Sequence, residues 1–378
     1  MDFEEPLNKH HGHDTHALPP QAICNLYKKY QKMDDASITK DLEVVDFGRG
    51  LTKQQQELII PVDTVSSELI GAARDKFMNH WPSYSSAPRD STPKSCTVYE
   101  HKDFPGLRLF PALLPPKCQF LMLDSLLHRD LANPLHKTNI HQDYSIPYPP
   151  QGSSSQPESF FTYPPHSKHH VFTPINPHSN HKPLNTTQFL HKKLRWLTLG
   201  SQYDWTTREY PKESPTPFPP DIASLVTTMF KNAFKPESGV VLLYSPKDFM
   251  PVHRDVSEEC QRGLASFTLG CDGLFIVSRE KNRKDVEAGE ASDENDEGRE
   301  MQMCVLKVRS GDCVWMGGET RWCWHAMPKI MGGTCPKWLE DWPVAGQYGV
   351  GEQRKEYEKW KGFMKSKRLN ISCRQVWS

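Results

Sequence analysis

After residue 238 the chain breaks into short apolar runs, and the first five follow one another with no helical pattern between them. They lie at 239–244, 264–269, 274–278, 303–308, 313–316 and 368–377. Parallel strands need crossovers of about a dozen residues or more, usually helical, so this half is constrained to antiparallel pairing. Asp272-Gly273 predicts a hairpin between the second and third runs, and Ser310-Gly311-Asp312 a turn between the fourth and fifth. Helical patterning lies earlier, at 20–34, at 66–81, from Pro115-Pro116 to about 131, and at 219–234, where Ile222, Leu225, Val226, Met229 and Phe230 form a stripe. A strand is expected at 43–47 and a short charged helix at 352–363. Helices segregated from antiparallel strands give an α+β class: an antiparallel double-stranded β-helix (jelly-roll) core with flanking helices.

Composition sets the boundaries. Lys+Arg and Asp+Glu are both 46 in 378 residues, so any nucleic-acid footprint must be local. The 32 prolines predict long irregular segments beside a real core. An N-terminal helical and irregular extension is expected over 1–95 and the main domain over 96–378. That domain is interrupted by a His/Pro-rich segment at 143–185 and an acidic insertion at 279–300. The 143–185 segment, with Tyr144, Tyr148, Phe160, Phe161, Tyr163 and Phe172, reads as a partly ordered surface or as disorder. The 10 cysteines form no C-x-x-C pair, which suits reduced thiols. No apolar run reaches membrane length, and the acidic M-D-F-E-E start argues against a mitochondrial presequence. An intracellular protein of cytoplasm, nucleus or both is expected, with no membrane partner.

The chemistry begins at His253-Arg254-Asp255. On an extended strand, positions i and i+2 point the same way, so an imidazole and a carboxylate can share one face. With a second histidine such a pair would suit Fe(II). Alone it equally fits a surface turn after Pro251. In the last strand Arg368, Asn370, Ser372 and Arg374 share one parity. Two arginines and an amide on one face suit a dicarboxylate, since guanidinium binds carboxylates through charge-assisted, bidentate bonds; an edge strand with ordinary surface charge fits as well. His141-Gln142-Asp143 repeats the triplet without a strand leading in. Phe189 and Trp196 lie among Lys168, Lys182, Lys192, Lys193 and Arg195, a pattern that fits a phosphate-contacting surface or an exposed loop.

The order of these features resembles the AlkB family of Fe(II)/2-oxoglutarate dioxygenases. L-R-W-L-T-L-G-S-Q-Y-D-W at 194–205, F-P-P-D-I at 218–222, H-R-D-V-S-E-E at 253–259 and R-L-N-I-S-C-R-Q-V at 368–376 resemble its first eukaryotic AlkB-homologue branch. The resemblance implies that His253, Asp255 and His325 ligate iron. It implies that Arg368 pairs with the distal carboxylate of 2-oxoglutarate, that Tyr244 and Asn370 hydrogen-bond this co-substrate, and that Arg374 lies near its metal-binding end. Fe(II), 2-oxoglutarate and O2 would oxidise an N-methyl group, of the 1-methyladenine or 3-methylcytosine type, in RNA (tRNA included) or DNA. The base must be single-stranded or flipped out; Tyr203, Trp205 and Tyr210 would stack at the mouth. Leu242 departs from the family, where Asn is usual, and leaves one co-substrate hydrogen bond unmade. Two alternatives remain: a protein (histone) hydroxylase or demethylase on the same centre, and a catalytically weak nucleic-acid-binding homologue.

Overall fold

The computed structural model describes residues 14, 16–81, 93–150, 158–204, 206–211, 215–281, 301–344 and 355–377. The strands are β1 (Ile59–Val65), β2 (Cys96–His101), β3 (Phe104–Phe110), β4 (Tyr144–Ser145), β5 (Thr173–Pro174), β6 (Trp196–Gly200), β7 (Ser238–Tyr244) and β8 (Met250–His253). They continue with β9 (Leu264–Gly270), β10 (Asp272–Glu280), β11 (Met301–Val308), β12 (Cys313–Met316), β13 (Trp324–Met331) and β14 (Arg368–Arg374). The large sheet runs β1-β2-β3-β12-β9-β14-β7-β6 and the small one β11-β10-β13-β8; β4 and β5 pair apart. From β7 onward the chain passes back and forth between the two main sheets, the winding of a jelly roll. One inner pocket is lined from both: by β7, β9, β12 and β14 of the large sheet and by β8, β10 and β13 of the small one.

The hairpin expected at Asp272-Gly273 does not form. β9 pairs with β12 and β14, whereas β10 pairs with β11 and β13. The bend lies at Gly270, whose φ of 85° suits glycine. Gly273 serves a different need: a Cβ there would meet Arg368 Nε and Met327 S at 2.8 Å. Asp272 is held as an ion pair, 3.2 Å from Lys307 Nζ.

The N-terminal part joins the same architecture. β1 pairs with β2, so the large sheet crosses the boundary expected near residue 95. Pro61 obscured this strand, because proline fits only an edge or a bulge; β1 is the edge, and its register shifts between Pro61 and Asp63. The strand expected at 43–47 is replaced by a single parallel bridge from Val45 to Leu306. Asp46 is drawn instead to Arg309, with Oδ2 accepting from Nη2 at 2.9 Å. The Gln21–Lys32 helix lays Ile23 and Tyr30 over Leu274, Ile276, Val305 and Met331 of the small sheet. The Ser67–Asn79 helix, N-capped by Ser66, packs on the Pro220–Met229 helix. The latter ends earlier than its apolar stripe because Lys231 and Asn232 take φ of 52° and 62°.

The aromatics of 158–185 do not form a surface. Phe160, Phe161 and Phe172 are fully buried in the main core, with Phe172 against Phe189 at 4.3 Å between ring centroids. Apolar rings on a polar loop found it better to pack than to remain in water. Phe189 is therefore not an exposed partner for the basic run. Of the charged helix expected at 352–363, the described residues form a 3-10 turn at Lys355–Trp360, and 352–354 lie outside the described residues. Residues 282–300 of the acidic insertion lie outside the described residues, as does Trp205. Among the described residues no helix is long and apolar enough to cross a membrane.

Candidate metal centre

β8 and β13 are neighbours, and His253 faces His325 across that pair. Their ring centroids are 4.3 Å apart. Asp255 lies just beyond β8, in irregular chain rather than on the strand, yet its Oδ2 is 3.7 Å from His325 Nε2. One ligand atom from each of the three falls within 4.8 Å of the others, a separation a single metal ion can span. No other such group of three occurs among the described residues. His141-Gln142-Asp143 finds no third ligand; Asp143 stands 3.9 Å from His181, and His141 Nδ1 meets the Thr138 carbonyl.

Local hydrogen bonds aim the imidazoles. Nδ1 of His253 is 2.8 Å from the Pro251 carbonyl, and Nδ1 of His325 is 3.1 Å from that of Cys323. Carbonyls only accept, so each Nδ1 carries the proton and each Nε2 keeps a free lone pair for a metal. Burial, and His253 beside it, lower the His325 pKa to about 4, so this ring is neutral at pH 7. Burial would raise the Asp255 carboxyl, but Arg374, then the two histidines, hold it below the usual carboxylate range. Arg374 Nη2 lies 3.0 Å from Asp255 Oδ1, which leaves Oδ2 turned towards His325.

The other end of the pocket is cationic. Arg368 is 1 % exposed, and its Nη2 donates to Thr268 Oγ1 at 2.8 Å. Its Nε and Nη1 have no hydrogen-bond partner, and burial lowers its pKa to about 10. A buried guanidinium with two unsatisfied donors beside a cavity is the complement of a carboxylate. Tyr244 sits opposite Arg368 in the β7–β14 register, with its ring 5.7 Å from the guanidinium carbon. Asn370 lines the same pocket, but its Nδ2 is committed to Ser266 Oγ at 2.8 Å and the Phe267 carbonyl at 2.9 Å. Leu242, facing Asn370 across the strands, adds an apolar lining with Met250, Phe275, Val314 and Met327. The one-faced parity of β14 thus brings Arg368, Asn370, Ser372 and Arg374 into one cavity.

A second groove of about 410 Å³ adjoins the metal triad. Tyr203 lines it, with its hydroxyl 3.2 Å from Ser257 Oγ. Tyr210 also reaches it, but is 7 % exposed and donates to Glu258 Oε1 at 3.3 Å. Glu258, Arg321, Ser266 and Thr268 were not anticipated. Glu258 lies in the H-R-D-V-S-E-E stretch and Arg321 just before Trp322, and nothing local at either position reveals that the fold buries it.

The comparisons agree with this geometry. Residues 166–374 match the model of the 2OG-Fe(II) oxygenase superfamily. The chain is 35% identical over 370 residues to the "N6-methyladenosine RNA demethylase ALKB1" of Pyricularia oryzae, covering 96% of this chain and 97% of that one. It is 43% identical over 238 residues to the "N6-methyladenosine RNA demethylase ALKBH" of Cryphonectria parasitica, covering 63% and 99%. With the "tRNA demethylase abh1" of Schizosaccharomyces pombe it shares 30% identity over 286 residues, covering 74% and 82%. The family implies Fe(II), 2-oxoglutarate and O2, and a triad with an unsatisfied arginine at the far end of one pocket fits that set. The chain belongs to the 2OG-Fe(II) oxygenase superfamily, as a dioxygenase of the AlkB type.

Proposed function

We propose that this dioxygenase removes N-methyl groups from adenine in RNA, with His253, Asp255 and His325 as iron ligands and Arg368 as the anchor of 2-oxoglutarate. The observation that carries the co-substrate role is the unsatisfied Nε and Nη1 of buried Arg368, at the far end of the cavity that holds the triad. The RNA reading rests on the two fungal relatives named as N6-methyladenosine RNA demethylases. Iron, 2-oxoglutarate and O2 together supply oxidation of a methyl C–H bond, after which the hydroxymethylated nitrogen loses formaldehyde.

The chain's own residues provide orientation and a dry site. The two imidazoles offer Nε2, and Asp255 offers the oxygen that Arg374 does not hold. Arg368 neutralises the distal carboxylate, while Arg374 adds positive charge at the metal end. Leu242, Met250, Phe275 and Val314 keep water from the reacting atoms. The groove beside Tyr203 admits the base, which must leave any duplex to enter.

The test is mass spectrometry of single-stranded RNA and DNA oligonucleotides carrying N6-methyladenine, 1-methyladenine or 3-methylcytosine, incubated with the protein, Fe(II) and 2-oxoglutarate. Loss of 14 mass units from methyladenine RNA at a rate above that for the DNA counterparts is expected, about one methylene per event. Intact methylated RNA after many equivalents of enzyme would overturn the proposal.

A further inference from the structure

We infer that Arg321 and Glu258 are positioning residues that fix Asp255 for metal binding without touching metal or substrate; this rests on the metal-centre reading above. Asp255 lies in irregular chain after β8, so no sheet ladder fixes its backbone. Arg321 supplies that constraint. It sits in the 3-10 turn Gly318–Trp322, just before β13, which carries His325. Its Nη1 donates to the main-chain carbonyl of Asp255 at 2.5 Å and its Nε to that of Arg262 at 3.2 Å. Its Nη2 donates to Glu258 Oε2 at 2.7 Å.

Glu258 closes the ring. Its Oε1 accepts from the Tyr210 hydroxyl at 3.3 Å and lies 3.1 Å from Arg374 Nε, a charge contact without hydrogen-bond geometry. Arg374 in turn holds the Asp255 carboxylate. Asp255 is thus gripped twice, at its side chain by Arg374 and at its backbone by Arg321, and Glu258 ties the two guanidiniums together. The two arginines and two carboxylates balance in charge. Arg321 is 1 % exposed and Glu258 8 %. A buried ion network of this kind is often no more stable than apolar residues of the same volume, so stability alone is a weak reason for it. Geometry is the better one. The network couples the turn that leads to His325 with the segment that carries Asp255, 66 positions apart. Without Glu258, Arg374 would lose one of its two carboxylate partners and be left on Asp255 alone, and Arg321 would lose its side-chain anchor.

Mn(II) binding to the full chain tests this, with free Mn(II) measured by electron paramagnetic resonance for the wild type, Glu258→Gln, Arg321→Lys, Arg321→Met and, as site control, His253→Ala. Groups that orient metal ligands cost about 10–100-fold in metal affinity when removed. Glu258→Gln and Arg321→Met are expected to weaken Mn(II) at least tenfold, with Arg321→Lys between them and the wild type, while near-UV circular dichroism stays native. Should Arg321→Met fail to fold, Arg321→Lys and Glu258→Gln decide. Folded variants with wild-type Mn(II) affinity, or with a lowered Tm and nothing else, would overturn the positioning role. If His253→Ala binds Mn(II) as the wild type does, the metal-centre reading fails and takes this inference with it. If His253→Ala loses binding while Glu258→Gln keeps it, only the positioning role falls.

Discussion

Arg368 is buried with two donors unsatisfied, which costs folding free energy until an anion arrives. Arg368→Met should leave the Tm of the cofactor-free protein unchanged or higher. It should also remove the Tm rise that 2-oxoglutarate gives the wild type, because a ligand stabilises only the state that binds it. Thermal melts with and without 2-oxoglutarate check both, and an undiminished ligand shift in Arg368→Met would place the co-substrate elsewhere. Leu242 poses the converse case. Leu242→Asn places an amide at the pocket wall opposite Asn370. One added hydrogen bond, about 1 kcal/mol, should lower the KM for 2-oxoglutarate roughly fivefold. An unchanged KM would show that the apolar residue costs the site nothing. Side chains of this kind were legible in sequence where alternation on one strand announced them, as for Arg368 and Arg374. Glu258 and Arg321 were not, because what makes them part of the site is a contact between segments 63 residues apart.

Among the elements, β14 and β7 were read nearly as they stand, since G-V-V-L-L-Y is a short continuous apolar run and R-L-N-I-S-C-R alternates polar with apolar, both patterns of extended chain. Pairing was harder to read. Asp272-Gly273 carries hairpin chemistry, but the chain uses the glycine to let Arg368 pass and turns at Gly270 instead. A local dipeptide does not encode which sheet the next strand joins. Gly273→Ala tests this use of glycine. Its Cβ would stand 2.8 Å from Arg368 Nε, so it should displace the guanidinium and raise the KM for 2-oxoglutarate about tenfold or more, given how steeply catalysis depends on placement. A steady-state titration of 2-oxoglutarate measures it, and a wild-type KM would show that Arg368 has room to spare. β1 stayed hidden because Pro61, with Asp63 and Thr64 close behind it, looks like a loop, and only an edge position or a bulge tolerates the proline.

At the scale of the whole molecule, the described residues from Gln21 to Asn79 are built into the fold. The Gln21–Lys32 helix backs the small sheet that carries both histidines, with Ile23 fully buried against it. Ile23→Ala should cost about 2–5 kcal/mol of folding stability, the usual range for an emptied core site; a shift of the urea midpoint measures it, and a loss below about 0.5 kcal/mol, the level of ordinary surface substitutions, would mean that the helix is not docked. The fold also sets an acid limit. Burial lowers His136 and His191 to about 4 from the ordinary 6.5. As pH falls from 6.5 towards 4 the unfolded chain takes up protons that the folded rings refuse, so stability drops across that window. Urea midpoints at pH 7 and pH 5 should show the fall, and His136→Asn should reduce it; an unaltered difference in that variant would remove His136 from the account.

The proposed oxidising centre for methylated RNA joins the triad with Arg368 in one cavity. Its most direct measurement is the ratio of formaldehyde released to succinate formed on N6-methyladenosine RNA, for the wild type and for Asp255→Ala. A ratio near unity in the wild type, with both products lost in Asp255→Ala, is the expected result. Succinate without formaldehyde in the wild type, or formaldehyde that survives Asp255→Ala, would contradict it.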